Sequence, residues 1–103
     1  MNGADAFLTL RLLRGAGVTI AATNHKEPLM IIGYAAGAYD LFHYGHLEIL
    51  RKAKENCDYL IAGVVHDDVL EVTKGRRPVI PIEERAAIVS HIDYVDEVHV
   101  ETT

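Results

Sequence analysis

Residues 29–46 constrain the fold more than any other stretch of this chain. Leu29 to Ala36 is an unbroken run of small and apolar residues, the composition of a strand buried on both faces of a parallel sheet. Gly37 then marks a turn. From about Phe42 to Asn56, Leu47, Leu50 and Ala53 recur at helical spacing, and Glu48, Arg51, Lys52, Lys54 and Glu55 fall on the water-facing side. A second apolar run, Tyr59–Val65, follows after a short connection. Strand, helix and strand joined this closely make a βαβ unit, which requires a parallel pair and a right-handed crossover. Open parallel sheets bind ligands beyond the carboxyl ends of their strands. Residues 37–46 lie there.

That segment carries chemistry. His43 and His46 are three residues apart, so on a helix they share one face and can address one ligand. The first turn of a helix has free backbone N–H groups and a partial positive charge, which suits anions and phosphates. Gly37 allows a tight turn, and Gly45 lets a group approach the helix with no Cβ in the way. Two other readings compete with phosphate binding: one imidazole merely caps or packs, or the pair binds a metal with Asp40 as a further ligand. Asp40 itself reads either as a magnesium ligand or orienter of the loop or, more in keeping with its position, as a structural cap of the backbone N–H three residues on.

The rest of the chain extends the pattern. His66-Asp67-Asp68 falls at the same edge, after the second strand, with Asp67 placed to cap a short helical turn over Val69–Thr73. Lys74-Gly75-Arg76-Arg77-Pro78 reads as a basic loop. Pro81-Ile82-Glu83-Glu84 is a helix start, with proline in the first turn and acids where the dipole favours them. That helix runs to about Ile92, with Ile82, Ala86, Val89 and Ile92 as its buried stripe. Tyr94 to Val100 reads as a third strand. Residues 1–28 stand apart as an N-terminal extension, either a short extra helix or disordered chain, ahead of a domain over residues 29–103. His25, His66, His91 and His99 suggest no partners.

Composition excludes several classes. A net charge of −5 argues against a general nucleic-acid or anionic-membrane binder, which needs basic surface. Arg11 and Arg14 interrupt the apolar cluster at Phe7–Leu13, so it reads neither as a signal peptide nor as a membrane span. The single cysteine, Cys57, cannot form an internal disulfide, which points to a reducing, cytoplasmic compartment.

Gly37-Ala38-Tyr39-Asp40-Leu41-Phe42-His43-Tyr44-Gly45-His46 resembles the G-x-[FY]-D-x-x-H-x-G-H signature of the cytidylyltransferases. The similarity is greatest to the glycerol-3-phosphate cytidylyltransferase type and extends from about Met30 to Val98. Many members carry Thr where this chain has Ala38. The resemblance implies an α/β, Rossmann-like parallel sheet with flanking helices. It also implies a domain that continues past Thr103 with at least one more strand–helix unit, so that this chain is its first half or more.

The reaction so implied is transfer of CMP from CTP to a small phosphorylated alcohol, glycerol 3-phosphate foremost, with release of pyrophosphate and with Mg²⁺ accompanying the triphosphate. Adenylyl transfer from ATP is the nearest rival, and a catalytically incomplete binding or oligomerisation fragment is the alternative of a different class. The nucleotide would meet Gly37, Ala38, Tyr39, Asp40, His43, Gly45 and His46. Lys74 and Arg85 match cations that the family places at phosphates, and Asp67 matches an acid positioned for the hydroxyls of a polyol. No resident metal site is expected. Tyr94-Val95-Asp96-Glu97-Val98 resembles a segment near a subunit interface, which implies a homodimer.

Overall fold

The computed structural model describes residues 6–7, 11–13, 18–24 and 30–102, with side chains from residue 30 onward. Its elements run β1 (Ala6–Phe7), β2 (Arg11–Leu13), β3 (Val18–Asn24), β4 (Met30–Gly37), α1 (Tyr44–Glu55), β5 (Tyr59–Val65), α2 (Asp67–Lys74), α3 (Ile82–Ser90) and β6 (Glu97–Glu101). One sheet joins the strands in the order β1-β3-β4-β5-β6, with β2 paired to β3. β4, β5 and β6 are parallel: Ile32 lies opposite Tyr59, Gly37 opposite Val64, and Val65 opposite Glu101. This is the Rossmann-like α/β arrangement anticipated from the βαβ pattern.

The described part of residues 1–28 is neither helix nor an appendage detached from the sheet. β3 runs antiparallel to β4, from Val18 opposite Ala35 to Asn24 opposite Met30, with a register irregularity between Ile20 and Ala22. Val18, Thr19, Ile20 and Thr23 are β-branched and favour extended backbone. Pairing there also satisfies the hydrogen-bonding groups that β4 would otherwise leave open along its edge.

Alternation along the strands places the core on one side. Ala35 of β4 and Leu60, Ala62 and Val64 of β5 are fully buried, and they join Leu50 and Ala53 of α1 and Ile82 and Val89 of α3 in a single cluster. The helices therefore share one face. β4 is not buried on both faces as its composition predicts: Ile32 and Tyr34 are only half-buried and Ala36 is exposed. That second face carries polar pairs instead, with the Tyr34 hydroxyl bonded to the Glu101 carboxylate and Tyr59 Oη donating to Glu97 at 2.8 Å. Packing on one face demands alternation only, and a continuous apolar run satisfies that demand without revealing it.

Element boundaries shift modestly. α1 begins at Tyr44, after the predicted Phe42, because His43 takes the cap position. α2 is a full two-turn helix ending at Lys74, where Gly75 adopts φ 81°, a left-handed cap that costs glycine nothing. β6 starts at Glu97, because Tyr94 and Val95 belong to a turn in which Val95 N–H donates to the Ile92 carbonyl at 2.9 Å.

Candidate active site

The carboxyl ends of β4 and β5 carry the polar clusters. At the end of β4 the chain turns through Ala38–Phe42 before α1 begins, and the turn is strained. Tyr39 and Leu41 have φ of 53° and 51°. Such backbone costs a non-glycine residue on the order of 1–3 kcal/mol and persists only where surrounding contacts impose it. For Tyr39 those contacts are visible. The ring is buried beside Phe42 and His46, and its hydroxyl donates to the Ala35 carbonyl at 2.9 Å. Burial, with the Glu101 carboxylate adding, raises its hydroxyl pKa well above the ordinary tyrosine range. Tyr39 therefore shapes the loop from beneath.

His43 and His46 fix each other at the start of α1. His43 Nδ1 accepts from the Gly45 N–H at 2.9 Å, and His46 Nδ1 accepts from the His43 N–H at 3.1 Å. The rings lie 4.3 Å apart between centroids, and Phe42 stacks on His46 at 5.3 Å. A ring nitrogen that accepts cannot carry a proton. In a neutral imidazole the proton then sits on the other nitrogen, so the network assigns the Nε2–H tautomer to both rings. The neutral state of His46 is favoured: burial lowers its pKa, His43 lowers it further, and Asp40 only partly opposes them. The result is two Nε2–H donors beside the positive end of a helix. The capping reading and the ligand-binding reading, set against each other in the sequence, are both served, because capping uses Nδ1 and leaves Nε2.

This geometry also explains Gly45. A Cβ there would lie 2.7 Å from Cε1 of His43. The close approach that requires glycine is made by the chain's own imidazole. β5 ends in a similar device: His66 caps α2, its Nδ1 accepting from the Asp68 N–H at 3.1 Å. Asp67, expected to cap this helix, is its first residue instead. The shared signal is a histidine two residues before the N–H that it accepts, at the start of the helix that follows a strand.

Arg85 and Asp67 are engaged with each other inside the protein. The Arg85 side chain is fully buried and its guanidinium makes four hydrogen bonds within the protein. It donates to the carbonyls of Ala38 at 2.7 Å, Val65 at 2.8 Å and Ile80 at 2.7 Å, and to Asp67 Oδ1 at 2.5 Å. Burial alone would raise the Asp67 carboxyl, but bonds from Arg85 and the Ile82 N–H, with the charges of Arg85 and Arg77, hold it below the usual carboxylate range. The structure thus engages Arg85, expected at a phosphate, and Asp67, expected at a polyol, with each other and with the backbone. A buried cation is tolerated only when well paired, and these partners engage four of the five N–H donors.

Asp40 is structural, but not as a cap of α1. Its two oxygens accept from the Val79 N–H at 2.8 Å and the Ile80 N–H at 2.9 Å. Those bonds, with the charge of Arg85, outweigh desolvation and lower its pKa. Asp40 and Arg85 together tie the motif loop to the segment before α3. Between these segments lies a cleft of about 430 Å³, lined by Ala38, Asp40, Leu41, Leu70, Lys74, Arg76, Arg77, Pro78 and Val79. His43 and His46 are not on its lining; they follow the loop that forms part of its wall. Lys74 reaches the cleft from the last turn of α2, not from a loop. Arg77 is engaged by Asp68 and Glu71, each at 3.0 Å, whereas Lys74 and Arg76 have no ion-pair partner among the described residues. Arg76, in the sequence only one member of a basic loop, lines the cleft; so does Leu41, whose positive φ leaves no local signal in a leucine.

Among the described residues no group of three or more His, Cys, Asp or Glu side chains is placed to hold a metal ion. Asp40, the one carboxylate on the cleft, already accepts two N–H bonds. Mg²⁺ belongs to this account only as the companion of a triphosphate substrate. No helix among the described residues is long and apolar enough to cross a membrane.

Comparison with known proteins agrees with this arrangement. The profile of the family described as "Cytidylyltransferase-like" matches residues 34–103. The FAD synthase of Thermococcus kodakarensis is 42% identical over 79 residues, covering 77% of this chain and 51% of that protein. The ethanolamine-phosphate cytidylyltransferase of Arabidopsis thaliana is 46% identical over 66 residues, covering 63% of this chain and 16% of that protein. Among solved structures, the lipopolysaccharide core biosynthesis protein of Thermoplasma volcanium GSS1 superposes with a TM-score of 0.64 at 27% identity, over 69% of this chain and 57% of that one. The chain thus spans about half the length of the FAD synthase it matches. With the motif, the βαβ frame and the profile in agreement over the same residues, this chain belongs to the cytidylyltransferase-like family.

Proposed function

We propose that the site performs nucleotidyl transfer: CMP passes from CTP to a small phosphorylated alcohol, and pyrophosphate leaves. A phosphate oxygen of the acceptor attacks the α-phosphorus in line, a new P–O bond forms, and the bond from the α-phosphorus to the bridging oxygen breaks. The nucleophile is already an anion, so no general base is required. Catalysis rests on alignment and on stabilising charge that grows on the transferring phosphoryl and the leaving group. The single observation that carries this reading is the reciprocal lock of His43 and His46, which leaves two fixed Nε2–H donors at a helix N-terminus. Lys74 and Arg76 on the neighbouring cleft supply charge for a second phosphate.

The similarity to FAD synthases favours one alternative, adenylyl transfer from ATP at the same histidines. Glycerol 3-phosphate rests on the motif resemblance alone, since Asp67 is engaged elsewhere. A cytoplasmic setting and a homodimer through Tyr94–Val98 complete the proposal. The test is pyrophosphate release with Mg²⁺, crossing CTP and ATP against a panel of phosphorylated alcohols. His46→Ala is expected to lower kcat by about 10²–10³-fold, with a loss of about 1 kcal/mol in stability from the broken cap. Turnover within a few-fold of the parent chain contradicts the assigned role.

A further inference from the structure

We infer that the cleft beside the motif loop seats the second substrate, and that Leu41 selects a phosphomonoester with an apolar body over a polyol phosphate. The inference rests on the nucleotidyl-transfer reading above. The cleft combines two cations with no ion-pair partner among the described residues, Lys74 and Arg76, with four apolar side chains, Leu41, Leu70, Pro78 and Val79. Cations match a phosphate, but little on the lining matches hydroxyl groups. Asp40 accepts two N–H bonds already, and the Ala38 carbonyl is taken by Arg85. Hydroxyls entering this cleft would surrender water for few partners. An apolar body would instead cover Leu41 and Val79, which are 55% and 70% exposed.

Leu41 is the telling residue. Its φ of 51° is left-handed, a conformation that glycine, asparagine or aspartate adopts far more readily than leucine. Its side chain is also apolar and in water. Backbone and side chain are each unfavourable in the free protein, and a contact made only with substrate accounts for both.

The test is titration of the whole chain with phenyl phosphate and with glycerol 3-phosphate, followed through the amide resonances of Leu41, Lys74 and Val79. Phenyl phosphate is expected to bind about tenfold more tightly, the effect of burying one part of a ring. Leu41→Asn is expected to raise the melting temperature and abolish that preference. Val79→Ser, away from the strained backbone, is expected to reduce it. Lys74→Ala weakens both ligands. Equal affinities, a preference for glycerol 3-phosphate, no binding of either, or a preference that survives Leu41→Asn would each overturn the inference. If it falls while CTP still perturbs His43 and His46, the nucleotidyl-transfer reading stands. If CTP leaves those histidines unperturbed, the fault lies with that reading.

Discussion

His43 and His46 stand at the end of β4, and Arg85 lies a few residues away in the fold, yet the two polar clusters are built on opposite terms. The imidazoles are partly exposed, and each commits one nitrogen to the backbone and keeps the other. The guanidinium is buried and commits its donors to three carbonyls and Asp67. Both are cation-capable groups in a phosphate-binding family, and on residue type alone both read as ligand contacts. What separates them is the donors left over once the protein's own demands are met. The histidines retain an Nε2–H each, whereas Arg85 commits four of its five N–H donors inside the protein and is fully buried. The first cluster is therefore where the proposed chemistry is placed. The second holds the segments that frame it.

The sharpest way to break that comparison is to remove the buried member. Arg85→Ala would strand the Asp67 carboxylate and free three carbonyls in the interior, so stability is expected to fall by about 3–5 kcal/mol. Chemical denaturation measures this, and a loss below 1 kcal/mol would mean Arg85 is not the clamp described. A Lys replacement is also expected to be poor, because one ammonium cannot span four acceptors in the fork's geometry.

A smaller effect tests the exposed pair. In an ordinary helix, Gly→Ala adds roughly 0.5–1 kcal/mol of stability. Gly45→Ala should reverse that sign, because its Cβ would displace the His43 ring and with it a cap worth about 1 kcal/mol. Nucleotidyl transfer should fall by about tenfold or more as the Nε2–H donor is misplaced. A stabilised, fully active Gly45→Ala chain would show that the His43 cap is not formed.

The smallest effect is on pH dependence. The pKa of His46 is lower in the fold than in the open chain, so the unfolded state takes up its proton first as pH falls. Its contribution is fully present above the ordinary imidazole pKa of about 6.5 and is lost as pH drops through the lower, folded value. Asp40 and Asp67 are likewise depressed, so their contribution disappears in a second, more acidic window, below the ordinary carboxylate range. Melting temperatures across pH should show both declines, and His46→Ala should remove the first alone. A first decline that persists in that variant would assign it to another group.

The same contrast explains what the sequence could and could not reveal. The βαβ frame, the start of α3 at Pro81-Ile82 and the His43–His46 pair were legible because each depends on neighbours within one or two turns. The clamp was not. Arg85 bonds Val65 and Ala38, 20 and 47 residues away, and Asp40 bonds Val79 and Ile80, 39 and 40 residues away. Helical spacing put Ala86 in the buried stripe of α3, whereas the structure buries Arg85. No local pattern marks an arginine whose partners are backbone carbonyls of distant segments. The pairing of β3 with β4 was hidden for the same reason, since it depends on an edge created elsewhere in the fold.

The central claim is that both imidazoles accept through Nδ1 and present Nε2–H to phosphate. Long-range ¹H–¹⁵N correlation spectra of the histidine rings, recorded with and without Mg²⁺–CTP, test it most directly. The account predicts the Nε2–H tautomer for His43 and His46 in the free chain, with Nε2 resonances that shift on adding nucleotide while both Nδ1 atoms remain acceptors. An Nδ1–H tautomer at either residue, or Nε2 resonances unmoved by saturating nucleotide, would contradict it.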